Sequence, residues 1–216
     1  MTSSISNQHQ LLIIDAMREL ERLIMINNTF CVQFRPKIST DTYFILVQNS
    51  SGCSATVGYN DGYSGDRYLN LMHTPTSSCM HIGTIQHELM HILGFFHEHS
   101  RPDRDQFVTI EYSNIASDKK FAFDKYSEEK IDRLGTEYDY DSIMHYNAYA
   151  FSINGHPTII PKKSGAVIGR RTLSLTDILE IQRYYRCVAY STANQFFVSK
   201  SAVFLFILIL IFVNML

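Results

Sequence analysis

Residues His87–Asp105 read HELMHILGFFHEHSRPDRD. On a helix, His87 and His91 lie four residues apart and leave from one face, one turn above the other. Two imidazoles so placed can share one metal ion. Glu88 follows the first of them, where its carboxylate can reach a water on that ion without itself being a ligand. Gly94 lets the backbone turn sharply, so that His97 can return to the same ion. Three neutral nitrogens leave coordination open for water, the arrangement of a catalytic zinc site; a structural site would close the fourth position with another Cys or His. Iron or copper also bind imidazoles, but the adjacent Glu88 suits hydrolysis and favours zinc. A second ligand set takes Glu111, twenty residues after His91, as the third ligand. It leaves His97 unexplained and puts Gly94 inside a helix that would have to continue.

Outward from this stretch, apolar residues Leu11, Ile14, Met17, Leu20 and Ile24 have helical spacing within a segment from about residue 7 to 26, with Arg18, Glu19, Glu21 and Arg22 on the remaining faces. Short runs at Cys31–Phe34, Thr42–Gln48, Ala55–Val57 and Tyr68–Met72 are divided by Gly, Asn, Asp and Ser, which reads as a small sheet with a loop at Gly58–Gly65. The metal-motif helix should run from about Gly83 to Leu93. After it the chain is mostly polar and irregular as far as Tyr149. A last helix is signalled by Ser174 and Asp177, a capping-box pair, with Leu175, Ile178, Ile181 and Tyr185 as its apolar stripe.

Some fifty residues past the histidines lies YDYDSIMHY, Tyr138–Tyr146. Alone, Met144 reads as core packing. Together with the three histidines, Glu98 directly after the third, the HEHSRPDRD continuation and the SIMHY segment, it resembles the Met-turn of the astacin family of zinc endopeptidases. The resemblance runs from the first helix through Cys187. It implies an α+β metzincin fold of two lobes. The N-terminal lobe holds a twisted, mostly parallel sheet with helices, the C-terminal lobe is irregular with one long helix, and the active-site cleft lies between them. It further implies one zinc per chain on His87, His91 and His97, with the Tyr146 phenol as a further ligand that moves off to hold the oxyanion. Glu88 is then the general base, Met144 underlies the metal, and disulfides join Cys31 to Cys187 and Cys53 to Cys79, one of the three pairings that four cysteines allow. Arg171 falls where members that prefer acidic residues after the cleaved bond carry an arginine; an ordinary surface arginine is the competing reading. His99 is read as structural, His145 as packed within the Met-turn, and Arg101, Asp103, Arg104 and Asp105 as an ion-pair network. The expected activity is zinc-dependent hydrolysis of peptide bonds in extracellular proteins. The alternative is a catalytically idle domain of the same shape that binds proteins.

The chain departs from the family at its start and beside Cys53. Family members carry a signal peptide, a propeptide and a strand ahead of the first helix, whereas this sequence starts at the helix. The tryptophan often found after the cysteine matching Cys53 is replaced by Ser54 and Ala55.

Composition bounds the rest. Over 216 residues, 45% are hydrophobic and 19% charged, which is globular composition, and a net charge of −2 supports no nucleic-acid partner. The four cysteines form no CxxC pair and favour disulfides, hence an oxidising compartment. Asn27 (NNT) and Asn49 (NSS) match the glycosylation acceptor pattern. Residues 1–190 are expected to be the catalytic domain and 191–200 a linker. The charge-free run 201–216, SAVFLFILILIFVNML, is expected to lie outside the fold as a membrane attachment, either a span extended through Phe196–Val198 or the tail of a lipid-anchor signal at Ser191, Ala193 or Asn194.

Overall fold

A computed structural model describes residues 5–59, 67–188 and 210–215. Helix α1 spans Asn7–Leu23 and is opened by the Ser6 side chain, which accepts from the backbone of His9. Its buried stripe is Ile13, Ala16, Met17 and Leu20, continued by Ile24 just past the helix. The stripe differs from the sequence expectation by a small rotation: Leu11 is 63% exposed and Ile13 takes the core position. Glu21 also differs. Helical spacing puts it on a polar face, yet it is 1% exposed, pairs with Arg18 and accepts the backbone N–H of Phe34 at 2.6 Å. That N–H belongs to the first strand, so a buried carboxylate ties the helix to the sheet edge.

The strands are β1 (Gln33–Pro36), β2 (Ile45–Gln48), β3 (Cys53–Ala55) and β4 (Arg67–Leu71). β2 and β4 pair in parallel, and β3 closes the edge antiparallel to β4. Helix α2 (Ile82–Ile92) follows, burying Ile85, Leu89, Met90 and Ile92 in the core shared with α1 and the sheet. In the second lobe β5 (Val108–Ile110) and β6 (Ile159–Pro161) form an antiparallel pair that the sequence reading missed, because each is only three residues long. They carry a second, smaller core around Val108, Phe123, Tyr138 and Ile159. Helix α3 (Leu175–Tyr184) has the expected capping box of Ser174 and Asp177. It is a ten-residue helix, shorter than expected, and Leu175 is 86% exposed while Ile181 carries the burial.

The C-terminal run also differs from expectation. Leu210–Met215 form β7, parallel to β1 on one side and to β2 on the other, giving the sheet order β1-β7-β2-β4-β3. A largely apolar, charge-free sequence, here broken only by Asn214, is what an interior strand of a parallel sheet carries, which is why composition alone could not separate it from a membrane segment. The expected linker, most of the loop expected at 58–65 and the remainder of the apolar run lie outside the described residues. Among the described residues, no helix is long and apolar enough to cross a membrane.

Cys31 is bonded to Cys187 and Cys53 to Cys79, with sequence separations of 156 and 26. The first joins the end of α3 to the start of β1. On chain entropy these loops stabilise the fold by roughly 5 and 3.5 kcal/mol. Replacing the Cys31–Cys187 pair by serines should therefore lower the unfolding free energy, measured by denaturant titration, more than replacing the Cys53–Cys79 pair. The reverse order would show that loop closure is not what the long bridge contributes.

Candidate metal centre and cleft

Helix α2 supplies two of the three convergent imidazoles, and its end supplies the geometry for the third. The Gly94 N–H donates to the carbonyl of His91 at 2.8 Å and the residue sits at φ 102°, a conformation open to glycine but strained for a side chain. The chain then doubles back through Phe95 and Phe96 to His97. The Nε2 atoms of His91 and His97 lie 3.2 Å apart, and those of His97 and His87 3.3 Å apart. Two ligands of a tetrahedral zinc at about 2.05 Å stand about 3.3 Å from each other, so the spacing is that of a zinc coordination edge. Among the described residues, these three are the one cluster of metal-ligating side chains so gathered.

The outer ring nitrogens fix which atoms face the ion. His87 Nδ1 bonds the Ile143 carbonyl at 2.8 Å and His91 Nδ1 bonds the Phe95 carbonyl at 2.8 Å. A carbonyl only accepts, so each Nδ1 carries the proton and each Nε2 presents a lone pair inward. Burial holds all three rings neutral: the pKa of His91 is lowered to about 3, and those of His87 and His97 fall below the ordinary histidine value. Neutral, fixed imidazoles converging on one point are the donor set zinc takes.

Glu88 is buried on the same helix beside this point. Burial raises its carboxyl to about 7, and its Oε2 has no hydrogen-bond partner among the described residues. Tyr146 packs its ring 4.4 Å from that of His97 and 4.2 Å from that of His99. Burial, and then the charge of Glu88, push its phenol up to about 12, so it is a proton donor at neutral pH. A cleft cavity of about 650 Å³ is lined by the three histidines, Glu88 and Tyr146, together with Ser54, Ala55, Phe121 and Phe151.

Met144 is buried in the main core, and its carbonyl accepts from the backbone of Glu98. The turn it belongs to is held by a residue that sequence reasoning credited only with capping. Asp177 accepts from Ser142 Oγ at 2.7 Å, from the backbone of Ile143 at 2.9 Å and from that of Ser174 at 2.8 Å. One carboxylate thus caps α3 and anchors the N–H of the residue whose carbonyl orients His87. Only the capping half of this role has a local signature.

His99 is fully buried, bonds the Ala122 carbonyl through Nε2 and lies outside the ligand cluster. His145 bridges the Tyr138 hydroxyl at 2.6 Å and the Tyr146 carbonyl at 2.7 Å. Arg101 pairs with Glu98 and Asp103, and Arg104 donates to the carbonyls of His99 and Phe123 and pairs with Asp105. Glu111 caps a short turn through Ser113, away from the metal point. Arg171 is exposed and donates to Thr84 Oγ1 at 3.0 Å on the first turn of α2, one turn before His87. Its carbonyl lies so close to Gly83 that a Cβ there would stand 1.9 Å away, so Gly83 lets this segment seat on the helix start.

The chain matches the family profile of Astacin, a peptidase family, over residues 1–186. It is 46% identical over 167 residues to zinc metalloproteinase nas-14 of Caenorhabditis elegans, covering 76% of this chain and 32% of that protein. Against meprin A subunit alpha of Rattus norvegicus it is 37% identical over 166 residues, covering 75% of this chain and 21% of the relative. The chain thus spans about a third or less of the length of these relatives. In structure it resembles high choriolytic enzyme 1, a hatching-enzyme zinc protease of Oryzias latipes, at a TM-score of 0.72 and 35% identity, covering 85% of this chain and 86% of the other. Myroilysin shares the fold at a TM-score of 0.54 and 21% identity, covering 85% of this chain and 89% of the other. With its three imidazoles at zinc spacing and its profile match extending almost to Cys187, the chain belongs to the astacin family of zinc metalloproteinases.

Proposed function

We propose that this chain is a zinc-dependent endopeptidase acting on extracellular proteins, with residues 1–190 as its catalytic domain. The observation that carries this reading is the convergence of three neutral imidazole nitrogens beside a buried carboxylate at the floor of an open cleft. Zinc bound by His87, His91 and His97 would supply a Lewis acid that polarises the scissile carbonyl and acidifies a water. Glu88, poised near neutrality by burial, takes the proton of the attacking water and passes it to the leaving amine. The Tyr146 hydroxyl, still protonated at neutral pH, donates to the oxyanion that develops. Asp177 and Ile143 hold His87 in register throughout. An idle binding domain, the other reading the sequence allows, has no missing ligand or base to favour it.

The two disulfides support a secreted protein. Attachment to a membrane through 201–216 and the use of 210–215 as a strand exclude one another. The pairing of Leu210–Met215 with β1 and β2 supports the strand. For subsite choice, the exposed guanidinium of Arg171 at the start of α2 supports a preference for Asp or Glu directly after the cleaved bond.

Glu88→Gln should keep one zinc per chain by elemental analysis while kcat on a quenched peptide falls by about 10²–10⁴-fold; normal turnover would remove Glu88 as the base. Tyr146→Phe should retain zinc, with kcat lowered by about 10²–10³-fold and KM little changed, as for loss of one oxyanion donor. A rise in KM alone would show that the phenol serves binding. Arg171→Ala should cut kcat/KM for substrates with an acidic residue after the scissile bond while sparing neutral ones, read from a peptide-library profile. An unchanged profile would make it an ordinary surface arginine.

A further inference from the structure

Two segments match the glycosylation acceptor pattern, and the fold treats them in opposite ways. Asn27 and Asn28 form the two-residue tip of a hairpin just after α1. Ile26 and Thr29 exchange both backbone hydrogen bonds, at 3.0 and 2.8 Å, and the two asparagines sit at φ 49° and 60°. These are the left-handed conformations of a type I′ turn, which asparagine tolerates better than most residues. Asn27, Asn28 and Thr29 are all exposed, and the Asn27 side chain makes no hydrogen bond to a described residue. The base of the turn is firm: Ile24 is fully buried, its carbonyl accepts from Gln182 Nε2, and Cys31 is held by the disulfide to Cys187. Neither Asn27 nor Thr29 lines the catalytic cleft.

Asn49 is placed otherwise. It is half-buried just past the end of β2, where Oδ1 accepts the His73 N–H at 2.9 Å and Nδ2 donates to the His73 carbonyl at 3.4 Å. Its side chain therefore acts as a pairing partner for the chain leaving β4. The same amide borders a small cavity of about 120 Å³ with Ile5, Ser6, His9, His73 and Met80. A sugar on Nδ2 would stand against this corner and compete with the hydrogen bond to the His73 carbonyl.

We propose that Asn27 is an N-glycosylation site of this protein and that Asn49 is not. The inference rests on the extracellular reading above, since the donor, a lipid-diphosphate-linked oligosaccharide, is met only on the secretory route. In the transfer, Asn27 Nδ2 forms a bond to the anomeric carbon of the reducing-end N-acetylglucosamine. The bond from that carbon to the diphosphate oxygen breaks, the lipid diphosphate leaves, and one amide proton is lost to solvent. Thr29 supplies the hydroxyl the acceptor pattern requires, and the folded turn then carries the glycan into solvent without displacing any protein contact.

The full chain, secreted from eukaryotic cells, is digested and treated with peptide N-glycosidase in heavy-oxygen water, which leaves a labelled aspartate wherever a glycan stood. The label is expected on the Asn27 peptide and absent from the Asn49 peptide. Asn27→Gln and Thr29→Val should each raise gel mobility by one glycan step, with zinc content and peptide cleavage unchanged, and Asn49→Gln should leave mobility as it was. Label on Asn49, or a bare Asn27, overturns the proposal. A non-reducing map of the same digest tells why: a bare Asn27 with Cys31 bonded to Cys187 refutes the glycan alone, whereas free thiols refute the extracellular reading with it.

Discussion

Three imidazole nitrogens gathered at spacings of 3.2 and 3.3 Å are the constraint around which the remainder of the domain is arranged. The tautomers fixed at His87 and His91 turn two lone pairs toward one point, where the Nε2 of His97 also arrives. Burial disfavours the protonated rings, which lowers the pKa values of His91 and His97 and keeps their nitrogens open to a metal. The site exists only where the fold brings His87, His91 and His97 together. Metal binding and folding are therefore linked, and part of the affinity for zinc goes into stabilising the native state.

Holding such a cluster rigid needs support from distant parts of the chain. His87 is oriented from the Met-turn, 56 residues downstream, through the Ile143 carbonyl. The N–H of the same residue is held in turn by Asp177 on α3, 34 residues further on. Glu98 works from the other side. Its backbone donates to the Met144 carbonyl, and its carboxylate accepts from the backbone of Asp139 and from Arg101. Two buried acids at opposite ends of one turn leave the Met-turn little freedom. This matters because a small displacement of a ligand or of an oxyanion donor costs orders of magnitude in rate.

The metal site was legible in the sequence because its signal is local. His87, Glu88, His91, Gly94 and His97 lie within one helix and the turn after it, and helical periodicity alone brings the first two histidines to one face. The supporting shell is not local, and there the sequence reading ran short. Asp177 shows its cap to Ser174 three residues away, but nothing near it announces Ser142 and Ile143. Glu21 has the helical spacing of a solvent-facing residue, and only the arrival of β1 makes it an internal anchor. β5 and β6 are too short to show a period of two, and each exists because the other pairs with it. The apolar run at the C-terminus had the opposite fault. Its signal was strong but shared by two structures, and hydropathy does not distinguish the interior of a parallel sheet from the interior of a bilayer.

Tyr146 shows how a side chain of ordinary appearance is made ready for the role proposed for it. A phenol that must donate to a developing charge is most effective when its position is set before the charge appears. Here its ring packs against those of both His97 and His99, at 4.4 and 4.2 Å, and meets Phe123 and Phe151 edge-on at 5.9 and 5.7 Å. Phe151 is held at φ 55°, a conformation that costs a bulky residue of order 1–3 kcal/mol and persists only where the surroundings enforce it. What that conformation provides is placement: the Phe151 ring reaches both Phe123 and Tyr146 while remaining on the cleft wall. Four neighbouring rings, His97, His99, Phe123 and Phe151, therefore hold the Tyr146 ring in place, and the left-handed backbone at Phe151 is part of that packing.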